Sequence, residues 1–300
     1  MKRFSGIFTP IATPFRGDDT LDEQGLRANV ARWMRTPLTG LVVLGSNGEA
    51  PQLDDDESDR VIDIARAEMP RNRPMIVGTG RESTRATIAA TKRAAAAGAD
   101  AALVRTPSFF KSQMTTDVFV RFYLDVADAS PIPVLLYNVT MYTGVNLLPD
   151  AVAQAAVHPN IVGMKESGSD LVQIADYIAR TPDDFSVLAG SAATFFAALC
   201  VGCDGAILAL AQLAPDACAE MQTLVRDGRT REARELQARL LPLARAVGGQ
   251  YGVPGLKAAL DLLGYAGGNP RPPLRPVPAA VADGIRVQLE ELGLLERVGT

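Results

Sequence analysis

Residues 133–139 read PVLLYNV and residues 161–167 read IVGMKES, two strand-length apolar runs one helix length apart. A run apolar on both faces is what a parallel sheet covered by helices requires. Similar runs rich in Val, Ile and Leu lie at 7–12, 40–45, 74–79, 101–106, 185–190 and 205–210. Between them come alanine-rich stretches with helical spacing, such as 83–97, 115–129, 170–180 and 215–227, many opening on a Ser, Thr or Asp cap. About eight strands alternating with helices close an α/β (β/α)8 TIM barrel. An open doubly wound sheet fits less well, because no G-x-G-x-x-G turn follows the first run and Gly78-Thr79-Gly80 does not supply one. The barrel is expected over residues 1–227 and a C-terminal helical appendage over 228–300, with helices at 230–247, 253–263 and 279–295 and a proline-stiffened connector at 267–278.

The chain has 300 residues, 47% of them hydrophobic and 21% charged, which sets it among globular proteins with a substantial core. Its formal net charge is -4 and no stretch concentrates basic residues, so nucleic acid is not an expected partner. Cys200, Cys203 and Cys218 are odd in number and sit in apolar or alanine-rich surroundings, which points to buried, reduced thiols. His158 is the sole histidine, so a metal site built on histidine pairs is excluded and metal-dependent aldolase chemistry is disfavoured. Residues 1–6 lack the apolar core of a signal peptide, and no apolar run approaches the roughly 18 residues of a membrane span. A cytoplasmic location without a membrane partner is expected.

Barrel chemistry sits where strands end. Only five of the 30 basic residues are lysines, and Lys165 falls inside the otherwise apolar run 161–167, where an ammonium loses its hydration. Burial lowers an amine's pKa and makes it a nucleophile able to form a Schiff base with a ketone. A structural ion pair with Glu166 is the competing reading, but adjacent strand residues point to opposite faces. Tyr137 ends the preceding run, and neighbouring parallel strands lie about 4.8 Å apart, so its phenol can share a pocket with Lys165 and move the protons that imine and carbon–carbon bond chemistry require. The loop Gly45-Ser46-Asn47-Gly48-Glu49 precedes a helix starting near Asp54, with Glu57 placed for a capping box. Its N–H groups, the Ser46 hydroxyl and the Asn47 side chain could cradle a carboxylate.

With these motifs in their order and spacing, the chain resembles the dihydrodipicolinate synthase / N-acetylneuraminate lyase family over most of its length. In residues 45–49, 160–165 and 188–192 it looks most similar to 4-hydroxy-2-oxoglutarate aldolases. The resemblance implies a Schiff-base lysine at Lys165, a proton shuttle at Tyr137 and no added cofactor. It also implies substrate contacts from Ser46, Asn47, Gly190 and Ser191, and a homo-oligomer, usually a tetramer. Two positions depart from it. Phe109, followed by Phe110, stands where the family offers a relay tyrosine, and two aromatics in a barrel loop suggest an interface beside the site. Tyr142 stands where dihydrodipicolinate synthases carry an arginine for the carboxylate of aspartate semialdehyde, and Arg105 is the nearest substitute visible in the sequence. The leading expectation is therefore a pyruvate-dependent class I aldolase acting on a 2-keto acid, with 4-hydroxy-2-oxoglutarate or a related 2-keto-3-deoxy acid as substrate. The alternatives are dihydrodipicolinate synthase, condensing pyruvate with aspartate semialdehyde, and a non-catalytic keto-acid-binding paralogue.

Overall fold

The computed structural model describes residues 4–296; the part of the amino-terminal reading that falls on residues 1–3 lies outside them. Eight strands form a closed parallel barrel in chain order: β1 (Gly6–Pro10), β2 (Gly40–Val43), β3 (Met75–Gly78), β4 (Ala101–Arg105), β5 (Val134–Asn138), β6 (Ile161–Glu166), β7 (Ser186–Ala189) and β8 (Gly205–Ile207). The expected TIM barrel is thus present, and each expected run holds one strand. Period-2 alternation divides the apolar residues between two cores. Phe8, Val42, Ile76, Leu103, Leu135, Leu188 and Ile207 fill the barrel interior. Their neighbours Ile7, Leu41, Val77, Val104, Leu136 and Val187 face the helical layer.

The outer layer comprises α1 (Glu23–Trp33), α2 (Asp55–Glu68), α3 (Thr84–Ala96), α4 (Thr116–Ala129), the short α5 (Thr140–Thr143) and α6 (Pro149–Ala155), α7 (Leu171–Arg180), α8 (Phe195–Cys200) and α9 (Pro215–Arg226). Asp54 caps α2 in a full capping box with Glu57, and Ser83 and Asp170 cap α3 and α7, satisfying N–H groups that a helix start leaves unpaired. Three helices follow the barrel: α10 (Thr230–Arg245), α11 (Gly252–Leu262) and α12 (Ala279–Glu291). Gly228, at φ +75°, closes the turn between α9 and α10, and we propose the division between barrel and appendage at residue 227.

Several expectations need correction. The helix expected over 230–247 ends at Arg245 and gives way to a wider π-type turn over Ala246–Gln250. The last helix stops at Glu291 rather than at 295. Cys200 is exposed, whereas Cys203 and Cys218 are buried and their thiols are pushed up to about 12 by burial. Among the described residues no helix is long and apolar enough to cross a membrane. No cluster of potential metal ligands occurs among them, and His158 is engaged with Asp128.

Candidate active site

Tyr137 and Lys165 are register partners on β5 and β6, so the parallel ladder aims both side chains from the same level into the barrel. The Lys165 Nζ donates to the Tyr137 Oη at 3.3 Å, and the Ser46 Oγ lies 3.2 Å from the same oxygen. Both residues are buried. Burial alone would raise the Tyr137 phenol, but the Lys165 charge and hydrogen bonds from Ser46, Lys165 and Ser167 outweigh it and hold the phenol below its usual range. Glu166, one residue on, turns to the opposite face, where Asn138 donates to it at 2.7 Å and the Gly168 N–H also donates. The competing Lys165–Glu166 pair is therefore absent. Burial raises the Glu166 carboxyl above its ordinary value despite these donors.

A second lysine is just as buried. Lys257 on α11 pairs with Glu49, which also accepts the Arg271 N–H at 2.8 Å, while Lys257 donates to the Asn269 carbonyl. Burial lowers the Lys257 amine although Glu49 opposes the shift. Burial in itself does not mark a nucleophile here; what separates the two lysines is that Lys257 faces a carboxylate and Lys165 a phenol. The Glu49–Lys257 pair ties the loop after β2 to the appendage. Leu44 and Glu49, at φ 58° and 55°, flank this loop in a left-handed conformation that costs a side-chain-bearing residue about 1–2 kcal/mol. Within it the Gly48 and Glu49 N–H groups bond back to Gly45 and Ser46, so the expected carboxylate cradle narrows to Ser46 and Asn47.

Lys165 and Tyr137 open onto a cavity of about 550 Å³ that Asn47, Gly190, Ser191 and Tyr142 also line. At Gly190 a Cβ would come within 2.9 Å of the Lys165 Cε and 2.3 Å of the Ser167 Oγ, so only glycine leaves the lysine room to move. Ser46 joins through its bond to Tyr137. The structure thus brings together Lys165, Tyr137, Ser46, Asn47, Gly190, Ser191 and Tyr142.

Phe109 and Phe110 do not line the cavity. They stand out from the surface, 78% and 68% exposed, with ring centroids 5.1 Å apart. Their loop is held in place: Glu82 accepts the Ser108 and Phe109 N–H groups, each at 2.8 Å, and pairs with Arg105 at 2.7 Å. Burial pulls the Glu82 carboxyl up, but these donors carry it below its ordinary value. The same pairing corrects the expectation for Arg105, whose guanidinium is occupied by Glu82 and the Thr106 carbonyl. Sequence reasoning missed Ser167, although it ends the quoted run 161–167, and missed Arg245 and Gln250, which reach the cavity from the appendage. No local motif marks those two.

The profile of the Dihydrodipicolinate synthetase family matches residues 3–292. A 4-hydroxy-tetrahydrodipicolinate synthase from Methanothrix thermoacetophila is 39% identical over 275 residues, 91% of this chain and 92% of the relative. The solved dihydrodipicolinate synthase of Thermotoga maritima superposes with a TM-score of 0.93 at 32% identity, covering 98% of this chain and 100% of that one. YagE of Escherichia coli, a prophage protein belonging to the dihydrodipicolinic acid synthase family and solved in complex with pyruvate, gives 0.90 at 30% identity, over 97% and 99% of the two chains.

Proposed function

The chain belongs to the dihydrodipicolinate synthetase family of pyruvate-dependent class I aldolases, and on that premise we propose that it condenses pyruvate with aspartate semialdehyde. Enzymes of this family work through a lysine Schiff base with pyruvate and need no added cofactor. The observation that carries the reading for this chain is the line of hydrogen bonds from Lys165 through Tyr137 to Ser46 at the carboxyl ends of the strands. The shared name of relatives 34–39% identical, 4-hydroxy-tetrahydrodipicolinate synthase, supports this choice of aldehyde over the 4-hydroxy-2-oxoglutarate expected first.

In this mechanism the Lys165 Nζ attacks the pyruvate ketone, and Tyr137 moves the protons that turn the carbinolamine into an iminium and water. Loss of a methyl proton gives the enamine, whose carbon adds to the aldehyde. Tyr137 then protonates the resulting alkoxide, and hydrolysis or displacement by the substrate's own amine frees Lys165. Ser46 and Asn47 hold the pyruvate carboxylate, and Gly190 and Ser191 border the reacting carbons. A homo-oligomer, with a tetramer as the expected form, and a cytoplasmic setting accompany the reading.

A second reading has a specific observation behind it. Tyr142 lines the cavity, the residue that by resemblance stands where dihydrodipicolinate synthases carry arginine, and a phenol offers one neutral donor in place of a two-pronged charged grip. This favours cleavage of a 2-keto-3-deoxy acid whose aldehyde half carries no carboxylate over condensation with aspartate semialdehyde, and leaves 4-hydroxy-2-oxoglutarate, which releases the carboxylate glyoxylate, as the other acid to assay. Steady-state rates on one enzyme preparation separate the two readings. Condensation with aspartate semialdehyde outpacing cleavage of every such acid is the expected result, and the opposite order overturns the proposal.

A further inference from the structure

We propose that Arg245 binds the carboxylate of the aldehyde partner and makes the enzyme selective for carboxylated over neutral aldehydes; this rests on the pyruvate-aldolase reading. Among the described residues only two charged side chains line the cavity, Lys165 on the barrel side and Arg245 on the appendage side, and no carboxylate side chain accompanies them. Such a cavity favours a doubly anionic occupant. Lys165 becomes part of the covalent intermediate, and pyruvate's own carboxylate has Ser46 and Asn47 beside it, so the second negative charge is left for Arg245.

Arg245 is available for that task. Among the described residues, Arg105 and Arg81 at the barrel mouth are engaged, by Glu82 and Asp55 respectively. Among those residues Arg245 has no ion-pair or side-chain hydrogen-bond partner. It closes α10 where the backbone widens into the π-type turn over Ala246–Gln250, an irregularity often found at functional sites. Gly248 and Gly249 follow three and four residues later, the spacing of near neighbours on a helical surface, and both line the cavity. A Cβ at either would meet nothing within 4 Å, so the cavity wall is open at both glycines. Tyr142, on α5, can add a single hydroxyl donor.

The test is a comparison of aldehydes in wild type, Arg245→Gln and Arg245→Lys, with borohydride trapping of pyruvate run alongside. Arg245→Gln should raise KM for aspartate semialdehyde or glyoxylate, whichever the enzyme uses, by roughly ten- to hundredfold, the value of a lost charge-assisted hydrogen bond. It should leave the glyceraldehyde reaction, the pyruvate KM and the trapping yield unchanged, and Arg245→Lys should recover part of the loss. An equal loss on charged and neutral aldehydes, or no loss on either, overturns the assignment to Arg245 while leaving the aldolase reading intact. Failure of the wild type to trap pyruvate overturns the aldolase reading itself.

Discussion

A phenol held below its usual range by a neighbouring ammonium is the residue-scale feature on which the chemistry turns. In the condensation direction Tyr137 must be protonated to quench the alkoxide, so the rate should fall as pH rises through its pKa. Because the Lys165 charge and the Ser46 and Ser167 hydroxyls depress that value, the alkaline limb should set in below the ordinary tyrosine value of about 10. Tyr137→Phe should lower kcat by about 10²- to 10⁴-fold and abolish that limb, and a pH–rate profile of the two proteins checks both statements. Lys165→Ala should abolish turnover with little change in the far-UV circular dichroism, since it removes an amine whose burial is costly and leaves a space that opens onto the cavity. Lys165 was legible in the sequence because a cation inside an apolar strand is locally anomalous. Lys257 was not, because the partner that neutralises it is Glu49, far away in the chain and brought near only by the closed fold.

At the scale of elements, the loop after β2 is held from two directions, by Tyr137 on the barrel side and by Lys257 on α11. Lys257→Met would leave Glu49 buried and unpaired, and breaking a buried pair from one side costs about 3–5 kcal/mol. Its urea midpoint should fall accordingly, and an unchanged midpoint would show that the tie carries no stability. Gly190→Ala should cut the rate of imine trapping, because the added methyl would press on the Lys165 Cε and the Ser167 Oγ and against the Glu166 carbonyl. The strands and the capping box at Asp54 and Glu57 were readable because alternation, caps and turn residues are local signals. The end of α10 was not: the helical reading runs on to 247, past Arg245, where the backbone widens. Arg245 was hidden with it, since nothing near it in the chain says which cavity it will enter.

Across the whole molecule, the exposed Phe109 and Phe110 sit on a loop fixed by Glu82, so two large apolar rings are held in water rather than free to fold inward. A second copy of the chain is the proposed cover. Sedimentation should show a stable oligomer at micromolar concentration, and replacing both rings with glutamate should shift it to smaller species; a monomeric wild type would refute the interface. The barrel could be read from sequence because eight short segments repeat one local pattern. The choice of aldehyde could not, because it depends on groups that meet across the cavity from the barrel and the appendage. The central claim, that Lys165 is the covalent nucleophile, is tested most directly by borohydride reduction in the presence of pyruvate followed by peptide mass mapping. The account predicts a single reduced pyruvate adduct, on the peptide that carries Lys165 and absent from Lys165→Ala. An adduct on Lys257 or elsewhere, or none in an enzyme that still turns over, would contradict it.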